Sequence, residues 1–198
     1  MGKRELEMRV ICVNTGTKYS QWYVDNLKHM IDNYSNLKYD KFEVITENRY
    51  DDERGVFNKL LMFEKFTDDQ NIYFDLDVLI KGDCNHLLRK EFTLCSAHWR
   101  PAYHTPLNSS IMSWQGDCSW IHDKFMEQMD YYLLKYRRGM DQFIYEVIKD
   151  YKLYTKEDKF CSYQTVLDEQ DYVVYLFNQR NKEMLNEGWY AKYFKSNI

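Results

Sequence analysis

The sequence predicts an α/β fold: a mostly parallel central sheet with helices on both faces, in a single domain covering residues 1–198. Three observations lead there. Short apolar runs alternate along the chain with segments whose apolar residues recur at helical spacing, as in successive βα units. One run, Asn71-Ile72-Tyr73-Phe74, leads into two carboxylates, Asp75 and Asp77, separated only by Leu76. Pro and Gly are scarce (2 and 7 of 198 residues), which leaves little material for long linkers.

Met8 to Val13 reads as a buried strand, and Asn14-Thr15-Gly16-Thr17 as a loop with a glycine hinge. A helix follows, with Ser20 as N-cap and Val24, Leu27, Met30, Ile31 and Tyr34 as its apolar stripe. Lys41 to Thr46 predicts a second strand, and 47–55 a charged loop. Val56 to Phe66 predicts a short helix that turns Val56, Leu60, Leu61 and Phe63 inward. The strand ending at Asp75 comes next. Phe92–Ala97 and Leu107–Trp114 read as strands flanking a polar loop that holds His98, Trp99, Arg100 and His104. Ser119–Asp130 and Asp141–Tyr151 read as helices, and Tyr172–Phe177 as a late strand. Residues 181–194 are mixed, rich in Lys and aromatics. No internal repeat or low-complexity segment is visible.

Composition narrows the function classes. A formal net charge of -4 argues against a nucleic-acid binder. No apolar stretch is long enough to span a bilayer. Residues 1–7 lack the apolar segment of a secretory leader and are expected to form a flexible tail. The five cysteines form no CxxC pair and several lie in apolar runs, so buried thiols of a reducing compartment are expected. A cytoplasmic protein, bacterial or in the host cytoplasm if viral, follows as the expectation. The 18 tyrosines could stack sugar rings, although burial is the commoner fate of aromatic side chains.

Asp75 and Asp77 are the strongest chemical signal. Side chains two apart on a strand point the same way, so both would leave the sheet together at the edge where α/β folds bind ligands. Paired carboxylates there suit a hard divalent cation, which usually serves a phosphate. From these residues alone three readings stand: a metal site for a nucleotide diphosphate, a haloacid-dehalogenase-type nucleophile and acid pair, or two solvated turn carboxylates. Against the phosphatase stand two preceding strands, Leu79 where a small residue is expected, and the lack of a following Gly-Thr pair.

The surrounding motifs sharpen the choice. Ile72-Tyr73-Phe74-Asp75-Leu76-Asp77-Val78-Leu79-Ile80-Lys81-Gly82-Asp83, followed by His86-Leu87-Leu88, resembles the defining segment of glycogenin-like glycosyltransferases of GT-A fold. Val10–Tyr19 resembles their first strand and uracil-binding loop. Phe57-Asn58-Lys59-Leu60 resembles the helix with a donor-facing basic residue. Leu107–Met112 resembles the acceptor-side strand, and Asp141-Gln142 the pair that opens a helix at the reaction centre. These five motifs in order span about Met8 to Lys182.

The resemblance implies a metal-dependent transfer of a hexose or deoxyhexose from a UDP-sugar to a saccharide, glycoprotein or glycolipid acceptor, with retention at the anomeric carbon. It implies Mn²⁺ or Mg²⁺ on Asp75, Asp77 and a third ligand aligned with Asn178. It places Thr15 and Tyr19 around the base, Lys59 and Asp75 toward the donor, and Lys182, with Arg180, on the diphosphate. Asn108, Asp141 and Gln142 would bind sugar hydroxyls. An inverting reaction would instead need a general base, for which Asp141, Asp117 and Asp83 are the candidates. The chain departs from the family pattern in its last motif. Asn178 stands where a histidine ligand is usual, and the Gly and Pro of the diphosphate-gripping segment are missing. A non-catalytic nucleotide-sugar or glycan binder is therefore the other reading.

Overall fold

The computed structural model describes residues 6–50, 55–137 and 139–196. Most of the expected tail, 1–5, lies outside them. β1 (Met8–Val13), β2 (Lys41–Ile45), β3 (Gln70–Phe74), β5 (Thr93–Ser96), β6 (Leu107–Gln115) and β7 (Lys152–Tyr154) form a six-stranded sheet in the order β2-β1-β3-β6-β5-β7. β1 pairs in parallel with β2 and β3, and β5 with β7; β6 runs against both its neighbours. Five strands thus share one direction, as the alternating pattern predicts. β4 (Val78–Ile80), β8 (Phe160–Ser162) and β9 (Val174–Leu176) make a second, three-stranded sheet in the order β4-β9-β8.

Period two sorts the central strands between two cores. Val10, Cys12, Ile72 and Phe74 pack under α1 (Gln21–Tyr34), the small sheet and the C-terminal segment. Ile11, Tyr73, Met112 and Trp114 face the other way, toward α2 (Leu61–Lys65), α3 (Ser119–Met126), α4 (Met129–Lys135) and α5 (Met140–Val147). Burial on both faces explains why β1 and the end of β3, in the middle of the sheet, read as apolar runs. Nine of the eighteen tyrosines are buried, and all five cysteines are free and buried, so core packing accounts for both. Burial pushes the Cys12 and Cys161 thiols up to about 12, which leaves them unreactive. Among the described residues no helix is long and apolar enough to cross a membrane.

Several elements differ from their expected form. Ser20 holds the extended N-cap geometry but makes no side-chain cap bond. The segment from Val56 opens as a 3-10 turn (Val56–Leu60) before α2. The helix expected over 119–130 breaks at Gln128, whose φ of -146° is non-helical, and α4 then stacks Tyr132 on Phe125 with ring centres 6.2 Å apart. Tertiary aromatic packing decides that junction over helix propensity. The helix from Asp141 ends at Val147 because Ile148 turns extended and leads the chain into β7. The late strand shrinks to Val174–Leu176 and joins the small sheet.

Candidate active site

A cleft of about 600 Å³ opens at the carboxyl ends of β1 and β3, where ligands bind in open α/β sheets. Val13 and Thr15 reach it from the end of β1, and Asp75 and Asp77 from the turn after β3. Asn108, Ser109 and Ser110 come from β6, whose reversed direction brings its first residues to the same edge. Asp141 enters from the first turn of α5, and Asn178 from the residues after β9. The aspartate pair is not on a strand, as the sequence suggested. β3 stops at Phe74, and the pair occupies the turn into β4. The two carboxylates still line one cleft because the turn is fixed from both sides. The Asp75 amide donates to Ser110 O (2.9 Å), and the Phe177 amide donates to Asp77 O (2.9 Å).

The two carboxylates have different surroundings. Lys59 Nζ lies 2.5 Å from Asp75 Oδ1, and the Tyr73 hydroxyl donates to the same oxygen at 2.5 Å. Burial pushes the Asp75 carboxyl up, but Lys59 and the hydrogen bonds outweigh it, so its pKa falls below the ordinary value. Asp77 has the Tyr19 hydroxyl, which donates to Oδ2 at 2.7 Å. Burial first, and the neighbouring Asp75 charge second, raise the Asp77 carboxyl to about 6. Lys59 is thus paired with Asp75 alone, while Asp77, the more buried of the two, has the Tyr19 hydroxyl and the unpaired, more distant charge of Lys18.

Asn178 belongs to a small amide network. Asn108 Nδ2 (3.4 Å) and Ser110 Oγ (3.2 Å) both donate to Asn178 Oδ1, and Ser110 N donates to Asn108 Oδ1 (3.0 Å). Asn178 sits in the left-handed region at φ 50°, which asparagine tolerates better than most side chains. Asp141 is held on two sides. Ser109 N donates to Oδ1 and Arg100 Nη2 to Oδ2, both at 3.0 Å. Arg100 is itself tied to the carbonyls of Thr105 and Leu107. Thr15 is packed against Gly55, whose φ is 66°; a Cβ there would come within 2.8 Å of Thr15 Oγ1.

Eight of the residues singled out in the sequence therefore meet: Thr15, Tyr19, Lys59, Asp75, Asp77, Asn108, Asp141 and Asn178. Two do not. Gln142 Nε2 donates to Glu146 (2.8 Å) along the surface of α5, because the helix turns it away from its neighbour Asp141. Lys182 is exposed and outside the cleft, because the chain after β9 coils into a 3-10 segment (Asn178–Leu185) that carries it outward. Arg180 is likewise turned away, pairing with Glu183 at 2.7 Å. His104 lines the cleft, whereas the His98 ring packs on Trp99 and Phe160. Lys18, Arg137, Gln164 and Gln179 line it without any signal in the sequence, since only tertiary folding brings them there.

The donor set suits a hard cation. Among the described residues no group of three or more His, Cys, Asp or Glu side chains is placed to hold a metal. Two carboxylates and an amide oxygen are nevertheless the oxygen donors Mg²⁺ or Mn²⁺ takes when phosphate and water complete its shell.

No protein-family model matches the chain, and no curated protein matches it in sequence. Solved structures do. A glycosyltransferase involved in glycosylation of the major capsid of PBCV-1 superposes with a TM-score of 0.61 at 13% identity, over 90% of this chain and 99% of that one. This is the GT-A glycosyltransferase fold. The galactosyltransferase LgtC, solved with donor and acceptor sugar analogues, has the same GT-A core with a TM-score of 0.59 at 10% identity, over 85% of this chain and 86% of that one. GlyE of Streptococcus pneumoniae TIGR4 gives 0.58 at 11% identity; the GT-A domain described here spans 55% of that chain.

Proposed function

We propose that the chain is a metal-dependent glycosyltransferase that moves a hexose or deoxyhexose from a UDP-sugar to a saccharide or to a glycan on protein or lipid. The observation that carries the reading is the meeting of Asp75, Asp77 and Lys59 with Asn108 and Asp141 in one cleft at the carboxyl edge of a GT-A sheet. The superposing proteins are glycosyltransferases, which supports the reaction class.

In this reading Asp75, Asp77 and the Asn178 amide hold Mn²⁺ or Mg²⁺. The cation supplies charge neutralisation to the departing diphosphate. Lys59, fixed between Asp75 and Ser109, adds preorganised positive charge at the same place. Thr15 and Tyr19 frame the base, while Asn108 and Asp141 orient sugar hydroxyls.

Retention at the anomeric carbon is the outcome we favour. Both Asp141 oxygens already accept hydrogen bonds, one from a guanidinium, which suits an anchor better than a general base. Asp117 and Asp83 cap the backbone amides of Ser119 and Asn85, outside the cleft.

The test is a thermal-shift scan of UDP- and GDP-sugars with Mn²⁺ and with EDTA, followed by detection of UDP released from any stabilising donor. A ligand that binds only the native state raises the apparent Tm. A UDP-sugar that stabilises with Mn²⁺ and then releases UDP supports the proposal. No stabilisation by any nucleotide-sugar would end it, and stabilisation without release would leave a binding module.

A further inference from the structure

The two cations expected after β9 on the diphosphate are absent from the cleft lining. Arg180 and Lys182 follow β9, where the family resemblance would place the diphosphate grip, and neither lines the cleft. Arg180 is engaged by Glu183 at 2.7 Å and lies over the Tyr163 ring, 5.8 Å from its centre. Lysines and arginines that do line it are Lys18, Lys59, Arg100 and Arg137. Lys59 is paired with Asp75 and Arg100 with Asp141. Arg137 enters from the α4–α5 connection.

Lys18 is placed differently. It comes from the β1–α1 loop, one residue before Tyr19, whose hydroxyl touches Asp77 at 2.7 Å. Its ammonium rests 4.5 Å from the Tyr19 ring centre, so the aromatic face holds a cation beside the aspartate pair. That position is close enough for its charge to act on the Asp77 carboxyl. No salt bridge occupies it among the described pairs, and its side chain is exposed.

We propose that Lys18 grips the nucleotide diphosphate in place of a cation after β9, so that one loop supplies both the base-framing Tyr19 and the phosphate-binding lysine. The inference rests on the nucleotide-sugar reading above. A flexible ammonium suits this role: as a point charge it can follow a diphosphate without the fixed geometry an arginine fork demands. Close charge pairing of this kind also fixes register, so the base and diphosphate would be read by adjacent residues of one loop.

The experiment is calorimetric titration of UDP and of uridine, each with Mn²⁺, into wild type, Lys18→Ala, Lys18→Arg and Lys182→Ala. Lys18→Ala is expected to weaken UDP about tenfold, equivalent to about 1.4 kcal/mol, and to leave uridine unchanged. Lys18→Arg should recover most of the loss, and Lys182→Ala should stay within about twofold of wild type. UDP affinity unchanged in Lys18→Ala, or lost in Lys182→Ala instead, would overturn the assignment. Equal losses of UDP and uridine in Lys18→Ala would also overturn it, by showing a loop defect. If wild type binds neither UDP nor uridine, the nucleotide-sugar reading itself fails, a result distinct from failure of the lysine alone.

Discussion

The turn after β3 and the turn after β9 both line the cleft, joined where the Phe177 amide donates to Asp77 O, and they are built from opposite materials. The first is ionic: Lys59 against Asp75 at 2.5 Å, and Asp77 beside them with a carboxyl raised to about 6. The second is neutral: Asn178 accepts from Asn108 and Ser110 at 3.4 and 3.2 Å, while Arg180 and Lys182 point elsewhere. The difference teaches where the cost of the site lies. Buried charge stores unfavourable energy that a ligand can relieve, whereas an amide network satisfies itself. The β3 side is therefore expected to dominate both the instability of the free protein and its response to metal.

The largest effect should come from Lys59→Ala. It leaves Asp75, a largely buried carboxylate beside Asp77, without its paired cation, and breaking a buried pair from one side costs about 3 to 5 kcal/mol. Urea unfolding at neutral pH measures this, and a loss below about 1 kcal/mol would show that solvent already screens the pair.

Asp77→Asn should do the reverse. A carboxyl with a native pKa near 6 and an ordinary unfolded value near 3.8 binds its proton more readily when folded. Stability therefore falls as pH rises between those two values, and the full penalty is present above about 6. The variant is expected to be more stable than wild type at pH 8 by up to about 3 kcal/mol, with the gain disappearing below about pH 4. Its Mn²⁺-dependent rise in Tm should be lost at the same time. Denaturation at several pH values, with and without Mn²⁺, checks both halves; a pH-independent difference would contradict the assignment of Asp77 as the strained member.

Asn178→Ala should be mildest. It removes three long hydrogen bonds, two accepted by Oδ1 and one donated to Leu176 O, and puts alanine at φ 50°, together costing about 1 to 2 kcal/mol. Mn²⁺ affinity, measured by calorimetry with UDP present, should fall less than in Asp77→Asn. An equal fall would make the neutral side an equal partner in the metal site.

The same contrast explains what could be read from the sequence. Asp75 and Asp77 were legible because they follow an apolar run buried on both faces, whereas Lys59 was legible only through the family resemblance of Phe57-Asn58-Lys59-Leu60, since a lone helix lysine reads as a solvated charge. β4, β7 and β8 were not, since three residues are too few to show a period and their pairing partners lie far along the chain. The aspartates themselves lie one element further on than expected: converging side chains came from a pinned turn, not from strand alternation. Lys182 was misplaced because nothing local announces that the chain coils after β9. Lys18 and Arg100 left no pattern, because a charged loop residue reads the same whether it faces a cleft or bulk water.

The central claim is that the ionic turn is a cation-assisted nucleotide-diphosphate site. Titrating UDP into the wild-type protein with Mn²⁺ and again with EDTA tests it most directly. The account predicts binding at least tenfold tighter with Mn²⁺. Equal affinity under both conditions, or no binding under either, would contradict it.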